Sequence, residues 1–151
     1  MTKEVLLTMT GDHMDQFQEN DTVEIITPAE YYEKNGKKYI LFEEISEDTK
    51  EITKSRIKIS QDKVEVTKSG EVNVHMEFIQ NQKNDSIYQT PFGMMMIGIQ
   101  TEQVKLLEIE NLIELQIDYG MEVNHCHMAD CSMKIKVIAK HSEEAYLSLG
   151  Q

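Results

Sequence analysis

The chain has 151 residues, of which 40% are hydrophobic and 28% charged, and a net charge of −12 from 27 acidic against 15 basic side chains. That composition fits one domain with one core and excludes global disorder. An acidic surface repels phosphate backbones and anionic headgroups, which argues against nucleic acid and membrane as partners, and no stretch approaches the roughly 20 apolar residues of a membrane span.

The N-terminal "MTKEVLLTMTGDHM" has too short an apolar run for a signal peptide and no small-residue cleavage site. The expected location is therefore cytoplasmic, where Cys126 and Cys131 would be thiols. Without a secretion signal, the sequons Asn20-Asp21-Thr22 and Asn84-Asp85-Ser86 are taken as chance matches.

The dominant rhythm is period two. Asn35-Gly36 sits between two β-rich runs and is the strongest short hairpin signal. The acidic "FEEISEDTKE" that follows is expected to be a solvated loop. "RIKIS" alternates Ile57 and Ile59 with Arg56, Lys58 and Ser60; Arg56 is the sole arginine. "KVEVTKSG" alternates Val64 and Val66 with Glu65 and Thr67, and "VNVHMEF" sets Val72, Val74, Met76 and Phe78 against Asn73, His75 and Glu77. Gln61-Asp62 and Ser69-Gly70 interrupt these runs at hairpin intervals. Pro28 and Pro91 each remove a ladder donor and belong at edges, bulges or strand starts.

"EQVKLLEIENLIEL" has helix-favouring composition; the expectation is two strands turning near Glu110-Asn111, with a partly helical segment as the alternative. "LIELQIDYGMEV" places Ile113, Leu115, Ile117 and Tyr119 on one face, and a bulge at Gly120 would flip Met121 to His127. "HCHMADC" is expected to be a polar hairpin tip with "MAD" as its turn, and "MKIKV" alternates Met133, Ile135 and Val137 with Lys134 and Lys136. The closing "HSEEAYLSLG" would form a last helical turn or fray. The whole predicts an all-β fold, an antiparallel calycin- or lipocalin-like barrel of about 8–10 strands, as a single domain over residues 1–151.

Three stretches carry a family resemblance: "YQTPFG" (Tyr88 to Gly93) followed by Thr101, "KSG" (Lys68 to Gly70) leading into "MEF" (Met76 to Phe78), and "DYGMEVN" (Asp118 to Asn124). Together they resemble the YwiB-like proteins, a small bacterial family of unknown function, over about residues 3 to 140. The resemblance implies a calycin-like barrel and no particular activity. It departs at Lys68, where the family often carries arginine; lysine cannot reproduce a bidentate contact.

In "GMMMIGIQT", parity past Gly93 puts Met95, Ile97, Ile99 and Thr101 inside and Met94 and Met96 outside. Met95 is expected to fill core space. Met94 and Met96 are candidates for a homodimer contact, with exposure without a role as the alternative.

His125 and His127, two apart, could face one ion with Cys131 as a third ligand, but no second cluster completes a tetrahedron, so no metal site or cofactor is expected. His75, between Asn73 and Glu77, is expected to be a solvated strand residue. There is no Gly-x-Ser-x-Gly, phosphate-cradling loop or His-Glu-x-x-His, so no catalytic residue is assigned and an enzyme is the least favoured class.

Two functions remain. The first is a cytoplasmic barrel that binds a small, mainly apolar ligand in its interior, with Met76, Phe78, Tyr88, Met95, Ile97 and Tyr119 as binding residues and Leu115 and Ile117 completing the lining. The second is an interaction barrel with a filled core that works through its outer surface. A cavity of a few hundred Å³ favours the first, and a filled interior with an apolar outer patch the second.

Overall fold

The computed structural model describes residues 1–15 and 20–140; the expected helical turn or frayed end at "HSEEAYLSLG" lies outside them. Ten antiparallel strands follow in chain order: β1 Glu4–Asp15, β2 Asn20–Lys34, β3 Lys37–Ile45, β4 Ile52–Ile59, β5 Val64–Gly70, β6 Val74–Phe78, β7 Lys83–Thr90, β8 Gly93–Ile109, β9 Leu112–Val123 and β10 Cys126–Ala139. They form one sheet in the order β6-β5-β4-β3-β2-β1-β10-β9-β8-β7. It curls until β6 and β7 approach, and there a single backbone bridge, Asn73 to Gln89, joins the two edges. Ser86 Oγ also donates to the His75 carbonyl.

The turns follow their chemistry. Asn35 (φ 54°) and Gly36 (φ 75°) both adopt the left-handed conformation that a two-residue hairpin demands. Asn111 (φ 63°) turns β8 into β9, so "EQVKLLEIENLIEL" is two strands and not a helix. Burial alternates as period two requires: Thr53, Ser55, Ile57 and Ile59 of β4 are buried between exposed or half-buried neighbours. Pro28 pairs with Leu6 on β1, while the β2–β3 ladder begins only at Glu30. The proline's missing donor thus faces a gap in the wall.

Two irregularities shift the phase. Glu102 is an extra residue in β8, so the inward set changes from Ile97, Ile99 and Thr101 to Val104 and Leu106. Met128 is the second, in β10, while β9 runs through Gly120 without a break. The expected turn at "MAD" is corrected: Asn124 (φ 49°) and His125 (φ 69°) make the turn, and Met128 to Asp130 lie within β10.

The interior is one contiguous apolar cluster. Phe78, Leu7, Ile40, Ile57, Ile99, Ile113, Leu115, Ile117 and Ile135 are each at most 2% exposed, contributed by seven strands around the barrel. Phe78 and Tyr119 meet edge to face, centroids 5.1 Å apart. At the lower end, where β8 meets β9, Lys38 Nζ reaches Glu108 Oε2 at 3.1 Å, tying β3 to β8.

Gly70, the last residue of "KSG", is required by space. It holds φ +139°, and a Cβ there would strike the Ile52 carbonyl oxygen and sit 3.1 Å from Thr53 Cα. Gly93 has a similar φ of +135° with open space around it. Gly93→Ala is therefore expected to cost about 1–2 kcal/mol from backbone strain. Gly70→Ala should cost at least about 1 kcal/mol more, because backbone must also move. Urea denaturation of the two variants checks this; equal losses would refute the steric argument.

Candidate functional site

Parts of the three stretches that carried the resemblance, Gly70, Tyr88 to Gly93 and Asn124, lie at the upper end of the barrel, around the Asn73–Gln89 bridge and the β7–β8 turn. Asn73 links two of them. Its Nδ2 donates to the Gly70 carbonyl at 2.8 Å, its Oδ1 accepts from the Gly70 amide, and its backbone exchanges two 2.9 Å bonds with Gln89 of "YQTPFG". In the β7–β8 turn, the Thr90 hydroxyl donates to the Gly93 carbonyl and accepts from the Phe92 amide, both at 3.1 Å. This leaves Phe92 at the tip, 99% exposed. Asn124, the end of "DYGMEVN", grips the next strand: its amide donates to the Met96 carbonyl at 2.8 Å, and its Oδ1 accepts from the Met96 amide.

Inside this end the lining turns polar. Phe42, Ser55 and Lys68 are register neighbours on the inner face of β3, β4 and β5. Lys68 Nζ lies 3.4 Å from both carboxylate oxygens of Glu44. Ser55 is 2% exposed, and its Oγ has no hydrogen-bond partner. Tyr88 faces the same end, half-buried; burial, and then the charge of Glu44, hold its phenol above the ordinary range. The gap between β2 and β3 opens a cleft of about 650 Å³, lined in part by Thr27, Pro28, Phe42, Ile45 and Ser55. Ser55 thus borders this cleft with its hydroxyl buried and unpartnered.

The outer face of the same end is apolar. Ile87 is 60% exposed, Met94 69% and Met96 39%, next to Phe92. Residues 86–101 contain no charged side chain in a chain that is 28% charged. Gly98 serves this hairpin's flank: the Lys83–Glu122 pair, 2.6 Å apart, crosses over it, and a Cβ would sit 3.0 Å from Asp85 Oδ1.

Of the expected binding residues, Phe78 and Ile97 lie in the packed cluster, with Met76 and Tyr119 against it. Tyr119 abuts the Cys131 thiol, and burial first, with that thiol, pushes its phenol above the ordinary range. Tyr88 and Met95 are cross-strand partners at the upper end. Met95 keeps the inner face that parity gave it but is not core: at 39% it is as exposed as Met96, because the barrel ends there. Leu115 and Ile117 are buried in the cluster.

His125, His127 and Cys131 do not converge. His125 occupies the turn, His127 pairs outward with Glu122 and lies 3.5 Å from Asp130 Oδ1, and Cys131 pairs with inward Tyr119. Both cysteines are free thiols. The sequence did not expose a different cluster. Glu65 and Glu77 are register partners across β5 and β6, and His75 Nε2 lies 3.4 Å from an oxygen of each. Glu65 and Glu77 are twelve positions apart, and only the β5–β6 register brings them together. No helix among the described residues is long and apolar enough to cross a membrane.

A nearly closed antiparallel wall of ten strands around a packed interior is that of a small calycin-like β-barrel. The family model "Domain of unknown function (DUF1934)" matches residues 7–135, and the chain belongs to that family. Among solved structures it is similar to the crystal structure of ywiB protein from Bacillus subtilis, with a TM-score of 0.81 and 23% identity over 91% of this chain and 92% of that one. A comparison with curated proteins gave no match.

The raised phenols set a pH limit. A folded-state pKa above the unfolded value contributes stability that is complete below about pH 10, the ordinary tyrosine pKa, and is lost as pH rises through the folded values. Stability should therefore fall above about pH 10, with the absorbance of Tyr88 and Tyr119 phenolates appearing together with unfolding. Phenolate formation by every tyrosine near pH 10 in a still-folded barrel would contradict their burial.

Proposed function

We propose that the protein is an interaction barrel, a packed scaffold whose working surface is the outside of its β7–β8 hairpin, and that the partner this surface fits is a second copy of the chain. The carrying observation is Phe92, 99% exposed beside Ile87, Met94 and Met96. A fully exposed phenylalanine contiguous with three other exposed apolar side chains marks a contact surface. The packed cluster at the barrel's centre supports the same choice, since interior volume is already taken by side chains.

Charge supports self-association at this place. Two molecules of charge −12 repel each other, and the approach is least opposed through the run 86–101, which carries no charge. Met94 and Met96, unbranched and adaptable, suit a surface that must mould to its own copy. A cytoplasmic setting fits the two free thiols.

A second reading, binding of a small molecule, is favoured by one specific feature: the unpartnered Ser55 hydroxyl at the cleft between β2 and β3. With the centre filled, that ligand would sit at the upper end, against Ser55, Lys68, Glu44 and Tyr88, and would carry polar groups besides its apolar part.

Sedimentation velocity and native mass spectrometry decide between them. The proposal expects a dimer at micromolar concentration. Phe92→Asp and Met94→Asp should each convert it to monomer with the melting temperature little changed, because neither side chain is buried in the monomer. A wild-type protein that stays monomeric, or dimers that survive both changes, would overturn it. A co-purifying molecule that is released on denaturation, and whose retention falls with Ser55→Val, would instead establish the second reading.

A further inference from the structure

We infer that Glu65, His75 and Glu77, on the outer face of β5 and β6, form a site for one divalent transition-metal ion of the zinc type. This rests on different residues from the proposed contact surface and stands independently of it.

The geometry comes first. One donor atom from each residue lies within 4.8 Å of the others. His75 Nε2 is 3.4 Å from Glu65 Oε1 and 3.4 Å from Glu77 Oε1. Ligands at about 2.0–2.1 Å from a tetrahedral zinc are separated from one another by about 3.3 Å. The imidazole is therefore already at the spacing of a coordination sphere from each carboxylate, and the two carboxylates lie within 4.8 Å of each other.

The second observation is the state of Glu65. It is 9% exposed, and its Oε2 is buried with no hydrogen-bond partner. Its nearest cations are lysines, Lys58 Nζ at 3.7 Å from Oε2 and Lys63 Nζ at 3.7 Å from Oε1, both beyond hydrogen-bond length. Lys63 also stands 3.9 Å from Glu77. A buried carboxylate is costly unless a cation is close and hydrogen-bonded to it, and here the cations stand off. A divalent ion seated among the three donors would supply the missing charge at bonding distance.

The third is orientation of the ring. Thr67 Oγ1 lies 2.8 Å from His75 Nδ1. With Nδ1 donating to that oxygen, Nε2 is left unprotonated on the side of the two carboxylates, free to act as a ligand atom. This is the outer contact by which metal-binding histidines are fixed. Three protein donors leave a fourth position for water or a ligand. His75 and Glu77 line a groove of about 480 Å³ along the β6–β7 seam, together with Asp85, Ser86, Ile87 and Met96. The open position thus belongs to a groove shared with the apolar hairpin.

Calorimetric titration of the chelator-treated full chain with zinc chloride tests this, beside thermal unfolding with and without the metal. One zinc per chain is expected, with a raised melting temperature. His75→Ala and Glu65→Gln should each weaken binding at least tenfold while the barrel stays folded by circular dichroism. Thr67→Val should weaken it several-fold through the ring's orientation. His127→Ala should leave it unchanged, and Lys63→Ala should tighten it by removing the competing ammonium. Absence of binding to both the wild type and Lys63→Ala would overturn the proposal. So would zinc binding that survives His75→Ala, which would place the ion elsewhere.

Discussion

The structure depends on one pairing between the two ends of the chain. β1 and β10 run antiparallel over eleven consecutive register pairs, from Val5 with Ala139 to Asp15 with Ala129. Every other ladder joins strands that are neighbours in sequence, so without this one the fold would be two meanders with exposed edges. The pairing brings Val5, Leu7 and Met9 against Val137 and Ile135 on the inner face, and so seals the apolar cluster from both ends of the chain at once. Its loop-closure entropy is the largest in the molecule, and the dense burial behind it offsets that cost.

Closure elsewhere is incomplete, and the breaks lie where chemistry collects. The β6–β7 seam is held by one bridge, the Asn73 link and Ser86. The Glu65–His75–Glu77 cluster flanks it on one side and the apolar hairpin on the other. The β2–β3 gap follows from Pro28, which has no donor to extend the ladder, and the buried Ser55 lines the cleft it opens. A barrel filled by Phe78, Tyr119 and branched aliphatic side chains has no central room to specialise. What varies chemically is its rim and its seams.

Much of this was legible in the sequence. Alternation in "RIKIS", "LIELQIDYG" and "MKIKV" gave strands and their inward faces, and Asn35-Gly36 and Glu110-Asn111 gave turns, because side-chain period and left-handed turn residues are local properties. The bulges at Glu102 and Met128 were not legible: each adds one residue whose cost is set by the partner strand, and no local signal marks them. The turn at Asn124-His125 was missed because reading "MAD" as the turn of "HCHMADC" put the hairpin tip four residues too far along. Met95 shows the limit of parity. It names a face but not how far along the barrel axis the residue lies, and at the rim both faces are wet.

The same limit explains why the Glu65–His75–Glu77 cluster was invisible. In sequence each acid stands in an ordinary polar position of an amphipathic strand, and His75 reads as solvated. Burial of Glu65 on an outer face arises from the neighbours that register supplies: Lys58 from β4 and Glu77 from β6 are its direct cross-strand partners. Carboxylates placed directly opposite each other repel, and a strand pair tolerates them only where positive charge lies between or beside them. In this barrel that role falls to Lys58 and Lys63, each 3.7 Å from a Glu65 oxygen and so short of a hydrogen bond. A sheet under pressure only to be stable gains nothing from that arrangement over a single Glu–Lys pair at the same positions. Its place next to a groove is the physical reason to look there for a ligand.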